Sequence, residues 1–402
     1  MNKLFLKASA FASKAEAITA TAVKAKAIAA IWTFPSIIFS ALVIAWAAEA
    51  TQFLVSQGLA LAILAWLQTL PEFAVEAVIA WEAGIDPEKV HLVTANFTGS
   101  LRLLVGLGWP MIYFTTVFFR RRSSKEKRFL NIKLEGEHSV EVLGLLPPIL
   151  YFLIIVLKGT LSLFDSVILF FMYVGYLYIL RKIPPQDQEK IGDAGKIPRM
   201  ILKLRPGLRN LSIGLLFLLG GVWLYLVAKP FLHSMLALAT LLRVSQFVFI
   251  QWVSPFLSEF PEKVTAFNWA RQVKKSPMAL MNMISSNINQ WTVLVAMIPI
   301  VYSLSSGKVS AIHFDSHQKV EIFLTIVQSA LGCILLANME FRWYEATGLF
   351  LLWFIQFIIP HWREEMIFVY LFWLYVELLL AFFGKRKLKA FGEFRELIRK
   401  YW

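Results

Sequence analysis

The chain has 402 residues, of which 58% are hydrophobic, 15% are aromatic and only 16% are charged. This composition excludes an ordinary water-soluble protein and indicates a chain that crosses a bilayer several times. The sequence has no His-Glu-x-x-His motif, phosphate-binding glycine loop, nucleophile elbow or cysteine pair. These absences argue against a metalloprotease, an ATP-driven pump and a redox enzyme, so we expect no enzymatic activity and no cofactor.

The predicted elements begin with thirty residues in which alanine alternates with sparse lysine. This pattern predicts an amphipathic surface segment over 1–30 and no cleaved leader. Eleven apolar runs follow, each close to or longer than the roughly 20 residues that a spanning helix needs. They cover 31–48, 52–83, 89–119, 138–157, 161–180, 211–229, 231–270, 277–304, 319–337, 343–360 and 364–383. The sequence therefore predicts an all-α polytopic membrane protein of about 11 spans.

Basic residues are concentrated in four segments, each of which follows an odd-numbered run. These segments are 120–128, 181–209, 271–275 and 385–400. The positive-inside rule predicts that this face is cytoplasmic, with the N-terminus outside and the C-terminus inside, most simply in the plasma membrane. The same segments account for the net charge of +14. Since no nucleic-acid-binding module accompanies them, we expect the lipid bilayer and no nucleic acid as a partner.

Three blocks of the first half recur in the same order in the second half. The separations are 190, 186 and 180 residues. The matched blocks are "LPEFAVEAVIAW" from Leu70 with "FPEKVTAFNWAR" from Phe260, "TANFTGSL" from Thr94 with "LMNMISSN" from Leu280, and Val140-Glu141 with Val320-Glu321. Such ordered matches indicate an internal duplication.

The duplication predicts two copies of a five-span unit. We expect the copies at 31–182 and 211–360, a basic linker at 183–210, and one extra C-terminal transmembrane helix with a basic tail at 361–402. Because five is odd, the second copy must enter the membrane from the opposite side. This is the inverted-repeat plan of secondary transporters, whose site lies at the repeat interface near the bilayer midplane.

Each copy places a Pro-Glu pair inside an apolar run. Proline removes a backbone donor, so the helix is expected to open just before Glu72 and just before Glu262. A charge near the bilayer centre costs at least about 2.5 kcal/mol, so carboxylates there usually face a polar cavity. With Glu76 and Glu259, four carboxylates would lie near one cavity, and such oxygen clusters suit hard cations such as calcium. Alternatively, Glu72 could lie in the headgroups at the end of a span.

On these motifs the chain resembles the sodium/calcium exchanger family of the calcium/cation antiporters, over about 31–182 and 205–360. Each repeat of that family carries a Thr-Ser-Leu-Pro-Glu-like element and a Gly-Asn-x-x-Gly-Ser-Asn-like element. The resemblance implies that the two Pro-Glu glutamates bind a metal cation together, and that Asn96, Asn282 and Asn287 support helix contacts. The expected cation-site residues are Glu72, Glu262, Glu259, Thr69, Ser100, Ser258, Ser286, Asn287 and Gln290.

The resemblance implies a secondary-active cation antiporter that exchanges calcium for sodium or protons by alternating access. Leu101 and Leu104 stand where the family has polar groups, which should weaken sodium coordination. Glu259 adds an acid close to Glu262, and two carboxylates in one low-dielectric site can hold a proton between them. We therefore expect protons to be the better counter-ion.

The competing hypothesis is a non-transporting membrane scaffold that kept the exchanger fold and uses its basic C-terminal segment to dock on anionic lipid or a partner. A fixed counter-charge in the site, supplied by Arg102, would favour it. Individual residues also have structural alternatives. Asn96, Asn282, Ser285 and Ser286 could join packed helices, Glu76 could pair with Arg102, and Glu259 could pair with Lys263.

Overall fold

The computed structural model describes residues 20–54, 57–123, 131–183, 191 and 194–402. Within these residues, eight helices are long and apolar enough to cross a membrane. They are Ala20–Gln52, Pro87–Arg121, Gly136–Lys158, Leu163–Lys182, Pro206–Leu242, Ser276–Ser306, Ser316–Leu336 and Pro360–Phe382. A bent pair, Ala62–Gln68 and Leu70–Ile85, makes a ninth candidate. The polytopic helical fold is confirmed, and the count of eleven spans stays a prediction.

The first half of the chain contains a series of α-helices among the residues that the structure describes. They are α1 (Ala30–Gln52), α2 (Gln57–Gln68), α3 (Leu70–Ile85), α4 (Val90–Leu103), α5 (Trp109–Ser123), α6 (Ser139–Gly144), α7 (Leu146–Lys158), α8 (Leu163–Lys182) and, in the linker, α9 (Lys196–Leu202). Most of the predicted surface segment lies outside the described residues. Its described part, from Ala20 onward, is helical and continuous with the first span rather than separate from it.

The second half repeats this order. Its helices are α10 (Pro206–Leu242), α11 (Gln246–Ser258), α12 (Phe260–Ala270), α13 (Ser276–Asn289), α14 (Val295–Ser306), α15 (Ser316–Leu336), α16 (Trp343–Ile358), α17 (Arg363–Phe382) and α18 (Lys389–Tyr401). The duplication extends to a local distortion. A π-helical turn joins α4 to α5 at Leu104–Gly108, and another joins α13 to α14 at Gln290–Leu294. Such turns are often found at functional sites.

Two short antiparallel ribbons show that the repeats are inverted. β1 (Ile132–Lys133) precedes the fourth span of the first repeat and pairs with β4 (Glu340–Phe341), which follows α15. β2 (Thr160–Leu161) follows α7 and pairs with β3 (Ile312–His313), which precedes α15. Repeats that crossed the membrane in the same direction would bring β1 and β3 to one face. β1 and β3 hold equivalent positions in the two repeats, and so do β2 and β4. Each ribbon instead pairs a strand that precedes a fourth span with a strand that follows one, so the two repeats cross the membrane in opposite directions.

The centre of the fold is formed by α4 and α13, the helices that come next after the two helices with the Pro-Glu pairs. α4 is buried from Leu92 to Leu103, and α13 is buried along nearly its whole length. α4 packs on α11 of the other repeat, and α13 packs on α2 in the reciprocal contact. The approach of α4 to α11 is close, because a Cβ atom on Gly99 would lie 1.9 Å from the Gln251 carbonyl oxygen. This packing carries the polar residues of α4 and α13 into the interior.

Candidate cation site

Both Pro-Glu pairs lie at helix breaks. α2 ends at Gln68 and α3 begins at Leu70, with a 48° bend between the two segments, while α11 and α12 are separated at Glu259. Pro71 and Pro261 lie in the first turn of the new helix, where the missing N–H would have no intrahelical partner anyway. The prediction that each helix opens just before its glutamate is confirmed.

The hydroxyls beside these breaks bond to the preceding turn. Thr69 Oγ1 donates to the Trp66 carbonyl at 2.8 Å, and Ser258 Oγ donates to the Ser254 carbonyl at 3.0 Å. Both side chains are buried. Each hydroxyl oxygen keeps lone pairs that point away from its own donated hydrogen, so both residues can still accept a bond or contact a cation.

One amide connects acidic residues of the two repeats. Gln290 Nε2, in the second π-helical turn, donates to Glu72 Oε2 at 2.6 Å and to Glu259 Oε1 at 3.0 Å. Gln290, Glu72 and Glu259 have no exposed surface. The fold therefore brings a carboxylate of the first repeat and a carboxylate of the second repeat to a single side chain, although the two are far apart in sequence.

Glu259, at the break between α11 and α12, also forms an ion pair with a residue of α12. Lys263 Nζ donates to Glu259 Oε2 at 2.5 Å, and the lysine is only 6% exposed. This confirms the alternative of a pair between residues four positions apart. Three buried glutamates, Glu72, Glu259 and Glu262, thus share the region with one lysine. When all four are ionised the group carries two net negative charges, which balance a divalent cation.

Several oxygens around these glutamates have no hydrogen-bond partner among the described residues. Ser100 lies beside Glu72 and Ser286 lies beside Glu262, in equivalent places of the two repeats. Buried polar atoms are nearly always hydrogen-bonded to protein, water or an ion, so these oxygens are candidates to contact a bound ion or water. The unpartnered oxygens are Glu72 Oε1, Glu262 Oε1 and Oε2, Gln290 Oε1, Asn287 Oδ1, Ser100 Oγ and Ser286 Oγ.

The donor set consists of oxygen atoms. Carboxylate, hydroxyl and amide oxygens are the ligands of calcium, which takes six to eight of them. In the part of the chain that the structure describes, no three His, Cys, Asp or Glu side chains are close enough to hold a metal by themselves. A cation here would need the neutral oxygens of Ser100, Ser286, Asn287 and Gln290 as well as carboxylates. The residues present fit such a ligand shell.

Two asparagines join helices as expected, and a third does not. Asn282 Nδ2 donates to Gln68 Oε1 at 3.2 Å, which links the two repeats. Asn96 Nδ2 donates to Glu76 Oε2 at 2.5 Å. The alternative pairing of Glu76 with Arg102 is therefore wrong, because the neighbouring asparagine takes that carboxylate. Asn287 is buried with neither amide atom bonded to another described residue.

Arg102 belongs to a polar cluster separate from the glutamates of the site. Its Nη2 donates to Glu321 Oε2 at 2.5 Å, and Nη1 donates to Gln356 Oε1 at 3.1 Å. Glu321 also pairs with Arg363 and accepts from Gln251 Nε2 at 3.0 Å. The sequence repeat singled out Glu321 but not its partners. Arg102 and Glu321 both lie in predicted spans, and opposite charges inside a membrane usually pair with one another. This rule could have suggested the pair from the sequence.

A polar cavity of about 560 Å³ lies on the face of the basic segments. Its rim includes Lys196 and Arg271, and it reaches Thr265. Thr265 Oγ1 accepts a 3.1 Å hydrogen bond from Gln68 Nε2, and Gln68 in turn holds Asn282. A continuous set of polar side chains therefore connects this cavity with the helix break at residue 69.

Comparison with known proteins agrees with this architecture. The sequence model described as "Sodium/calcium exchanger protein" matches residues 24–182 and 212–362. The crystal structure of the H+/Ca2+ exchanger CAX is 30% identical in sequence, with a TM-score of 0.83 over 96% of this chain and 98% of that chain. A search of curated protein sequences gives no significant match.

More distant structures share the fold alone. The sodium-calcium exchanger NCX_Mj soaked with 10 mM Na+ and zero Ca2+ is 17% identical, with a TM-score of 0.53 over 85% of this chain and 99% of that chain. The same exchanger soaked with 100 mM Na+ and 10 mM Sr2+ is 18% identical, with a TM-score of 0.55 over 83% and 99%. The family match spans both repeats and well over half of the residues. The chain belongs to the sodium/calcium exchanger family.

Proposed function

We propose that this protein is a secondary-active antiporter that exchanges calcium for protons, with the cation bound between Glu72 and Glu262. The observation that carries the proposal is the bridge made by Gln290, which bonds to Glu72 of one repeat and Glu259 of the other. Buried carboxylates from both repeats at one amide are costly unless a cation or protons compensate them. The 30% identity with the H+/Ca2+ exchanger CAX supports the choice of ions.

Calcium would be held by carboxylate oxygens and completed by neutral ones. Glu72 and Glu262 supply the negative charge, and Ser100, Ser286 and Gln290 supply oxygens that are not otherwise bonded in the described part of the chain. Asn287, Thr69 and Ser258 can add oxygens as each repeat moves. Lys263 offsets part of the charge of Glu259, so the site keeps enough negative charge for a divalent ion without a large excess.

Protons compete with calcium for the same oxygens. A proton on Glu72 or Glu262 removes the charge that attracts calcium, so one ion leaves as the other arrives. Sodium would depend more strongly on neutral oxygens, and the first repeat has Leu101 and Leu104 where the family has polar groups. These losses and the extra acid at Glu259 favour protons over sodium as the counter-ion.

The inverted repeats offer a route for alternating access at the repeat interface. The 560 Å³ cavity that reaches Thr265 is the proposed entrance from the face of the basic segments. By the positive-inside rule we assign this face to the cytoplasm, with the N-terminus outside and the C-terminus inside. We propose the plasma membrane as the location of the protein. Arg102 pairs with Glu321 rather than with Glu72, so Arg102 does not supply the fixed counter-charge in the site that would favour a scaffold.

Calcium titration of the purified protein in detergent tests the site. We expect one class of saturable binding that weakens as the pH falls, because protons and calcium share ligands. The double variant Glu72→Gln and Glu262→Gln should lose this binding and keep the elution profile of the wild type. A wild-type protein that bound no calcium at alkaline pH would refute the proposal.

A further inference from the structure

Glu141 is a buried carboxyl outside the cation site. It lies in α6 and is only 5% exposed. Its Oε2 has no hydrogen-bond partner, and no basic side chain in the described residues forms an ion pair with it. Burying an acid without a compensating cation is costly, so such groups are rare in membrane spans and mark functional pathways.

The equivalent residue of the other repeat has the opposite environment. Val140-Glu141 matches Val320-Glu321 in the sequence repeat, and Glu321 is held between Arg102 and Arg363. Two guanidinium groups keep Glu321 as a structural carboxylate. Glu141 has no such partner and can take up and release a proton. The two repeats therefore keep a glutamate at this position but give it different charge partners.

Two hydroxyl groups, those of Tyr176 and Ser285, lie between α6 and the helix that carries Ser286. The ring of Tyr176 lies against Gly144, one turn after Glu141, because a Cβ atom on Gly144 would be 3.2 Å from Tyr176 Cδ2. Glu141 lies three residues before Gly144, so both residues share the side of α6 that faces the Tyr176 ring. The Tyr176 hydroxyl shares a 3.0 Å hydrogen bond with Ser285 Oγ. Ser285 precedes Ser286, the residue beside Glu262.

Glu141 also lies close to the face that bears the basic segments. The 3₁₀ turn Gly136–His138 connects it to that face, where the Glu393 carboxylate of α18 approaches Gly136. The elements packed around Glu141 carry basic residues, none of which forms an ion pair with Glu141 in the described part of the chain; they are Lys158 of α7, Arg181 and Lys182 of α8, Lys319 of α15, and Lys389, Arg395, Arg399 and Lys400 of α18. The other titratable groups there are acidic or neutral, and among them the Nδ1 atom of His138 accepts from the Glu135 backbone N–H. They include Glu137 and His138 of the turn, Tyr173 and Tyr176 of α8, Cys333 of α15 and Glu393 of α18.

We infer that Glu141 is a proton-transfer residue that carries protons between the cation site and the face of the basic segments. The inference rests on the proposed calcium–proton exchange. A proton leaving the site passes to Ser285, which gives its own hydroxyl proton to Tyr176. Tyr176 in turn gives its proton to Glu141. Both hydroxyls end unchanged, and Glu141 later releases the proton to water.

Two transport modes separate this role from a structural one. Proton-driven calcium efflux from reconstituted vesicles moves protons in every cycle, whereas exchange of labelled for unlabelled calcium at equal pH moves none. Glu141→Gln should slow the proton-driven mode by about tenfold or more, the scale at which a positioned proton-transfer group acts, and leave calcium–calcium exchange unchanged. Glu141→Asp, which keeps a carboxyl group, should restore part of the rate.

Tyr176→Phe tests the route, and it should reproduce the selective loss because only the hydroxyl is removed. Equal slowing of both transport modes by Glu141→Gln would show a structural role and overturn the inference, as would wild-type rates in both. A wild-type protein without any proton-driven calcium transport would instead refute the proposed function. A poorly folded Glu141→Gln variant is recognised by its elution profile, and Tyr176→Phe then decides the matter by the same two rates.

Discussion

Gln290 of the second repeat donates a 2.6 Å hydrogen bond to Glu72 of the first, and neither side chain has exposed surface. The same amide nitrogen reaches Glu259 at 3.0 Å. The contact joins the two halves of the fold at their acidic centre. A cation or proton that binds Glu72 changes the strength of this bond, so occupancy of the site and the contact between the repeats are linked.

The first prediction concerns the two Pro-Glu glutamates. Glu72→Gln and Glu262→Gln should each abolish calcium flux into vesicles, because removal of one carboxylate leaves too little negative charge to compensate the dehydration of a divalent ion. Both variants should keep the elution profile and thermal stability of the wild type. As a matched control, Glu364→Gln removes an exposed acid at the start of α17 and should leave flux unchanged. Unchanged uptake in both site variants would refute the proposed site.

A second prediction concerns the contact of α4 with α11. Gly99→Ala should destabilise the protein by about 1–3 kcal/mol, because its Cβ atom would lie 1.9 Å from the Gln251 carbonyl and the helices would have to separate. Transport should fall with it, since both helices lead to the site. Gly214→Ala in α10 has no atom within 4 Å of the new Cβ and should change stability by less than about 1 kcal/mol. Thermal unfolding in detergent measures both, and equal effects of the two variants would contradict the packing argument.

The buried ion cluster gives a third prediction. Arg102→Met should lower stability by about 3 kcal/mol, because it takes one of two partners from a fully buried carboxylate, Glu321. Arg342→Met breaks the ion pair between Arg342 and Glu340. Because the Arg342 side chain is 40% exposed, this change should lower the stability by less than about 1 kcal/mol. Unfolding midpoints compare the two. An Arg102→Met variant as stable as the wild type would show that Arg363 alone satisfies Glu321.

The fourth prediction addresses the ion pair beside the site. Glu259→Gln leaves the ammonium of Lys263 without its partner, and the unbalanced charge should weaken calcium binding by about tenfold or more at alkaline pH. Lys263→Met should tighten binding, because it exposes the Glu259 charge to the cation. Calorimetric titration at several pH values checks this, and identical profiles for Glu259→Gln and the wild type would exclude Glu259 from the site.

Much of the fold follows from the sequence because duplication leaves several independent marks. Proline at positions 71 and 261 predicts the helix breaks, since its ring cannot continue the helix behind it. The odd number of runs between matched blocks predicts inversion, which the crossed pairing of the β ribbons confirms. These features depend on local chemistry and on counting, so a single sequence contains them.

Contacts between distant helices could not be predicted in the same way. Arg102 pairs with Glu321, 219 positions away, because α4 and α15 pack together, and nothing near Arg102 in the sequence specifies that partner. The alternative that Glu76 pairs with Arg102 is wrong because Asn96, on the neighbouring helix, donates to Glu76 Oε2. The bridge from Gln290 to Glu72 likewise depends on the π-helical turn at 290–294, which reorients that amide.

Calcium efflux from reconstituted vesicles tests the central claim most directly. Vesicles loaded with calcium are diluted either into a medium of lower pH without sodium, or into sodium at the internal pH. We predict rapid efflux under the pH gradient, little response to sodium, and neither response with Glu72→Gln. Efflux that follows external sodium at fixed pH and ignores the pH gradient would contradict calcium–proton exchange and indicate sodium coupling.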